Sequence, residues 1–245
     1  ISEYQGFIRV SSTSDLWGRW WIMDLVDEEE TTWTGPTNQV SILENKNGSL
    51  EIVGFIGDIA SGETIWSSRF IGERGYLVTF MNIDPLWILD LSDPYNPVIL
   101  GELHVPGVST YIHPIDDNNI LTIGIGGGED GLGLDWSTTQ ISLFDVSNTS
   151  NPLLSDTIPL TPGYTDDNCL DIMTCGWSWS YSEATYEHKA FTYWAPESLL
   201  AVPLSTYRYI FDQVEIDGNI YSYSGYQYVS MMKMINVNTE NNTLS

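Results

Sequence analysis

The sequence predicts an all-β protein, a β-propeller of four-stranded antiparallel blades, and three observations carry that expectation. Two stretches 55 residues apart nearly repeat: Leu86 to Pro97 reads LWILDLSDPYNP and Ile141 to Pro152 reads ISLFDVSNTSNP. Asp90 falls on Asp145, Ser92 on Ser147, Asn96 on Asn151 and Pro97 on Pro152. Apolar residues alternate or form short runs, bounded by Gly, Pro, Asn and Asp about every 8–12 residues. Almost no segment has a helical period. Strand-built repeats of this length indicate a propeller or a related array.

The elements follow in order. Gly6 to Ser12 reads as a strand, and residues 13–38 as an irregular stretch rich in Trp and acid, with a long loop around Asp24 to Thr37. Gln39 to Glu44 and Leu50 to Ile56 are strands joined by a turn at Lys46-Asn47-Gly48. Two full quartets come next: Ile65–Ile71, Gly75–Phe80, Leu86–Leu91 and Val98–Val105, then Ser109–Ile115, Asn119–Ile125, Gln140–Val146 and Leu153–Leu160. In each, the third and fourth strands meet at the Asp-x-Ser…Asn-Pro turn. Asp and Ser side chains satisfy turn amides there, and Pro fixes φ where no ladder donor is needed. Residues 181–194 and Leu199–Leu204 begin a less regular set. An inserted hairpin turning at Asp217-Gly218 follows, and then Tyr228–Val237, with Asn236 at the Asp position of the repeat. The chain therefore reads as a single propeller domain or partial propeller over 1–245. Blade-like units lie at about 1–60, 65–105, 109–160 and 180–245, with insertions at 24–38, 163–178 and 207–227. The units at both ends read as incomplete. A closed ring of three and a half units would leave bare strand edges, so a piece of a larger propeller is expected.

A chain of 245 residues, 42% hydrophobic and 13% aromatic, has enough apolar surface for a large core. It has no run of about 18 apolar residues, so no transmembrane helix is expected within it. The net charge is -25, from 33 acidic and 8 basic residues. That balance argues against nucleic-acid binding, which needs Lys and Arg to replace phosphate counterions, and against anionic membrane surfaces. Cations, Ca²⁺ above all, are the natural small partners. Cys169 and Cys175, in DDNCLDIMTCGW, fit neither a zinc-site spacing nor a CxxC redox pair. A local disulfide is expected, stabilising its loop by about 2 kcal/mol and implying an oxidising compartment. Asn-x-Ser/Thr triplets at Asn47, Asn148 and Asn241 agree with a secreted or cell-surface protein.

Among residues with chemistry, His113 and His188 lie on expected first strands, which line a propeller's channel, and Arg69 would join them there. Glu183, Glu187 and His188 form the densest set of ligand-type side chains. Strand alternation sends Glu183 and His188 to opposite faces, so a metal site of His113, Glu183 and His188 needs more than one strand. The alternative is a polar network between blades. The glycine-rich Gly124–Gly133 lacks the Lys-Ser/Thr ending of a phosphate loop, but Glu129, Asp130 and Asp135 could chelate Ca²⁺. Trp17, Trp20, Trp21, Trp33, Trp177, Trp179 and Trp194 suit either sugar stacking or inter-blade core. No Gly-x-Ser-x-Gly elbow is present.

The ordered strings SEYQGFIRVSST, RFIGERGYLVTF, DPLWILDLSDPYNPVILGEL, STYIHP, ISLFDVS and YSEATYEHKAF followed by LLAVP resemble a family of secreted bacterial and archaeal proteins. Those proteins carry a C-terminal β-propeller domain distantly related to WD40 repeats. The resemblance covers most of residues 1–204 and implies fold and compartment more than activity. Its members extend further at the amino end. The chain departs from the pattern in the acidic loop at 24–35, the cysteine insertion and the insertion at 207–227. The reading is a secreted or cell-surface, non-catalytic propeller that binds a protein or glycan ligand, or a companion chain carrying further blades, with Ca²⁺ as a stabiliser. An extracellular hydrolase of carbohydrate or peptide, with acids at the channel mouth, and a metal-binding propeller centred on His113, Glu183 and His188 are the alternatives.

Overall fold

The computed structural model describes residues 1–14, 36–81, 84–128, 133–160 and 178–245, and these form four antiparallel sheets. Sheet 1 holds β1 (Ser2–Tyr4), β2 (Phe7–Ser14), β3 (Thr37–Lys46) and β4 (Ser49–Ile59) in that order. Sheet 2 holds β5 (Thr64–Ile71), β6 (Arg74–Phe80), β7 (Asp84–Asp90) and β8 (Val98–Val105). Sheet 3 holds β9 (Val108–Pro114), β10 (Asn119–Gly127), β11 (Leu134–Asp145) and β12 (Leu153–Pro159). Each is an up-and-down meander, the blade of a propeller. The first unit has four strands where three were expected. Gln5 and Gly6, both at positive φ, turn Ser2–Tyr4 back onto Phe7–Arg9.

Sheet 4 departs from this plan. Its inner position is shared by β13 (Ser178–Tyr181) and β14 (Thr192–Trp194), which pair with different parts of β15 (Leu199–Ile216). Between them the chain makes two short 3₁₀ turns, Glu183–Thr185 and His188–Ala190, each capped by the side chain before it: Ser182 Oγ accepts from Ala184 N–H, and a Glu187 carboxylate oxygen from Lys189 N–H. β15 runs without a break into β16 (Asn219–Asn238) through a two-residue turn at Asp217-Gly218. Both turn residues have positive φ (54° and 77°), the geometry that Asp-Gly favours. β17 (Thr243–Leu244) reaches β16 only at Val237 and Asn238.

The first three sheets share one register. In each, the ladder of third and fourth strands slips by one residue, so that Ile42 faces Gly54, Ile88 faces Gly101 and Leu143 faces Asp156. The slip lets each fourth strand receive the next sheet. A Cβ at Gly54 would overlap the Pro94 carbonyl oxygen, and one at Gly101 the Thr149 carbonyl oxygen. Both oxygens belong to the repeated turn of the following sheet, whose entry Asp90 and Asp145 fix by accepting Ser92 and Ser147 N–H at 2.9 Å. At the third junction Asp156 has a side chain, and its Oδ2 accepts Leu244 N–H at 2.7 Å.

Three cores fill the three gaps. Val40, Ile42, Phe70, Leu77 and Leu89 close the first. Leu86, Ile88, Ile112, Ile120 and Phe144 close the second. Ile141, Leu143, Leu200, Val202, Leu204 and Ile235 close the third. Burying one such side chain contributes about 1.5–3 kcal/mol. Arg9 adds a polar tie across the first gap: its guanidinium donates to Gly72 O at 2.6 Å and to Ser2 Oγ at 3.0 Å, against the rings of Tyr4 and Phe70.

Candidate functional site

The repeat identifies a surface that stands out by its exposure. Asn236 occupies the position of Asp90 and Asp145, so Met234 corresponds to Ile42, Ile88 and Leu143, and Met232 to Val40, Leu86 and Ile141. Those six aliphatic residues are 0–1% exposed, each filling the gap to the next sheet. Met232 and Met234 are 59% and 55% exposed. Directly opposite them on β15 sit Pro203 and Ala201, and β14 continues the same face with Trp194, also exposed. Further along, Tyr207 lies 4.8 Å from Tyr228, 5.7 Å from Trp179 and 6.4 Å from Tyr181, ring centre to ring centre. Trp179 Nε1 donates to Trp136 O at 2.7 Å, which fixes this aromatic bank against sheet 3. The face is rich in exposed apolar and aromatic side chains, so its chemistry is burial and stacking. The Met pair was not singled out from the sequence. Its signal was weak: two thioethers where the repeat elsewhere places branched aliphatics.

Two of the residues proposed for a metal centre, His113 and His188, approach the same ring, that of Tyr111. Its ring lies 6.3 Å from His113 and 6.3 Å from His188, and Phe191 lies 5.2 Å from both Tyr111 and His113. His113 is packed among rings, and Tyr193 stands 5.7 Å away. Burial, aided by the nearby Arg69 charge, holds its imidazole below the ordinary histidine range. His188 is mostly exposed, 3.8 Å from Glu187. Glu183 begins a 3₁₀ turn, and its Oε2 is buried without a hydrogen-bond partner, as is Nε of Arg69. Among the described residues no three His, Cys, Asp or Glu side chains converge as a metal-holding group.

Other sequence candidates fall as follows. Asp135 folds back on its own strand, accepting Ser137 N–H at 2.9 Å, Ser137 Oγ–H at 2.5 Å and Thr138 Oγ1–H at 2.6 Å. Burial alone would raise its pKa, but these bonds win and hold it low. Asn47, Asn148 and Asn241 all sit on exposed turns. Glu129, Asp130, Cys169, Cys175, the acidic loop at 24–35, nearly all of the cysteine insertion, and Trp17, Trp20, Trp21, Trp33 and Trp177 lie outside the described residues. A cleft of about 400 Å³ opens between the β5–β6 and β9–β10 turns, lined by Ile71, Glu73, Arg74, Pro114, Asp116 and Asp117. There the Asp116 carboxylate accepts the N–H groups of Asn118 and Asn119, and Arg74 donates to the main-chain carbonyl oxygen of Asp117 at 2.7 Å.

Four-stranded meanders stacked through repeated turn-to-strand contacts define a β-propeller protein, here with its ring not closed. Comparison agrees: the family model described as a beta propeller domain matches residues 1–244, and the chain belongs to that family. It is 40% identical over 152 residues to the uncharacterized protein MJ1554 of Methanocaldococcus jannaschii, covering 62% of this chain and 21% of that one. It is 37% identical over 152 residues to an uncharacterized protein of Archaeoglobus fulgidus, covering 62% and 20%. The chain thus spans about a fifth of the length of these curated relatives. Among solved structures it is similar to the β-propeller domain of Vanderwaltozyma polyspora Nup133, at 11% identity and a TM-score of 0.39, over 84% of this chain and 61% of that one.

Proposed function

We propose that this chain is a non-catalytic binding and scaffold module of a larger propeller, working outside the cell or at its surface. One observation carries the reading: Met232 and Met234 are open at positions that the other three sheets bury completely. A further four-stranded blade, carried on the longer protein or on a companion chain, seats there as sheet 4 seats on Ile141 and Leu143. The opposite end supports the same assembly, since Leu50, Ile52 and Phe55 of β4 are exposed on sheet 1. The extracellular setting rests on the -25 charge, the Cys169/Cys175 pair and three sequons on exposed turns.

The test is a double variant, Met232→Glu/Met234→Glu, compared in the 245-residue chain and in the native protein isolated from its source. The melting temperature of the short chain stays unchanged, because the carboxylates meet water. That of the native protein falls by several degrees, because two charges are forced into a closed gap. An unchanged native melting temperature overturns the reading. Calcium enters as a stabiliser of this acidic surface. Added Ca²⁺ raises the melting temperature progressively once its free concentration exceeds the dissociation constant, and an unchanged melt with no bound calcium by elemental analysis removes it.

A further inference from the structure

The β15–β16 hairpin runs beyond what a blade needs. In its counterparts, β6–β7 of sheet 2 has strands of 7 and 7 residues and β10–β11 of sheet 3 strands of 9 and 12, whereas β15 has 18 and β16 has 20. The excess forms an arm from about 207 to 227. Val214, Ile216, Ile220 and Tyr221 are all exposed on it. A lone two-stranded ribbon with this much open apolar surface is marginal in water.

The outer edge of the arm has a defined chemistry. Asn236 exchanges both backbone hydrogen bonds with Ser245 on the outer side of β16. The β15–β16 register is unbroken, so antiparallel alternation points the N–H and C=O of Ile220, Ser222 and Ser224 to that same side. Among the described residues no strand stands beside this part of β16. From Asn219 to Ser230 the strand carries no charge, in a chain with 33 acids. Its composition, YSYSGYQY at its centre, is the Tyr, Ser and Gly mixture that suits protein contact surfaces. Outer strands of sheets 1 and 2 carry exposed carboxylates: Glu51 and Asp58 on β4 and Glu102 on β8.

We infer that the β16 edge of this arm pairs antiparallel with the β16 edge of a second copy of the chain, joining two arms into one four-stranded ribbon. A second copy is the occupant because it presents the same uncharged, outward-facing edge. Two molecules of net charge -25 repel at the carboxylate-bearing edges, and this neutral edge lets them approach without setting one carboxylate against another. Backbone pairing supplies the affinity, and the tyrosines cover the joined strands.

Sedimentation equilibrium of the 245-residue chain at low and high salt tests the pairing. A dimer forms whose association strengthens as salt screens the two charged bodies. The variant Ser222→Lys/Ser224→Lys weakens the dimer at least tenfold with its melting temperature kept. A chain that is monomeric at every salt concentration overturns the inference. So does a dimer unaffected by the lysines, or one lost instead with Met232→Glu, which places the contact on the sheet face. Hydrogen exchange of the unaltered chain gives a second readout that needs no variant. The amides of Ser222 and Ser224 slow as protein concentration rises, and concentration-independent exchange there contradicts the pairing.

Discussion

Gly101 shows how one missing side chain joins two blades. A methyl group there meets the Thr149 carbonyl oxygen, and one at Gly54 meets the Pro94 carbonyl oxygen. Neither obstacle is a flexible side-chain tip, so the backbone of the next turn has to move. Gly101→Ala is therefore expected to cost about 1–3 kcal/mol, a melting temperature lower by several degrees. At the equivalent Asp156 the contact is a hydrogen bond to Leu244 N–H, and Asp156→Ala is expected to cost about 1–3 kcal/mol by leaving that donor unmet. Thermal melts of the two variants check both values. An Ala tolerated at Gly101 without loss would refute the close approach. The sequence offered these residues only as members of a strand. Which glycine is obligatory depends on a carbonyl nearly 50 residues away, beyond any local pattern.

The Asp-x-Ser…Asn-Pro turn is the element most open to sequence reading, because its chemistry is local. Asp90 and Asp145 accept the amide two residues on, and those side-chain and backbone bonds from Ser92 and Ser147 hold both carboxyls below their ordinary range. A depressed folded-state pKa contributes stability that is present above the unfolded value, about 3.9, and is lost as pH falls through the folded one. Asp90→Asn/Asp145→Asn should therefore show a shallower loss of melting temperature below about pH 4 than the unaltered chain. Equal acid sensitivity would mean that the turns do not depend on the charged form. The inserted hairpin was equally legible, since Asp-Gly between alternating strands is a turn with a mechanism. β1 was not: three residues, Ser2–Tyr4, are too few to show alternation, and only pairing with β2 makes them a strand. The approach of His113 and His188 to Tyr111 was likewise hidden. It depends on how the 3₁₀ turns of sheet 4 pack against β9.

At the scale of the whole molecule, the strand periodicity and the repeat were enough to establish a propeller of four-stranded blades. They did not show where the stacking is left open, because burial belongs to a pair of sheets and not to one strand. YVSMMKMINV reads as a third strand of the repeat, and its Ile235 and Val237 are buried, yet Met232 and Met234 face outward. Three gaps are filled by three repeating cores, and the fourth face has the same layout without its cover. Oxidative footprinting of methionines measures this directly, because Met81 is also 59% exposed and lies away from the face, between β6 and β7. In the 245-residue chain Met81, Met232 and Met234 should oxidise at similar rates. In the native protein isolated from its source, Met232 and Met234 should be protected at least tenfold while Met81 is unchanged. Equal oxidation of all three in the native protein would contradict the account.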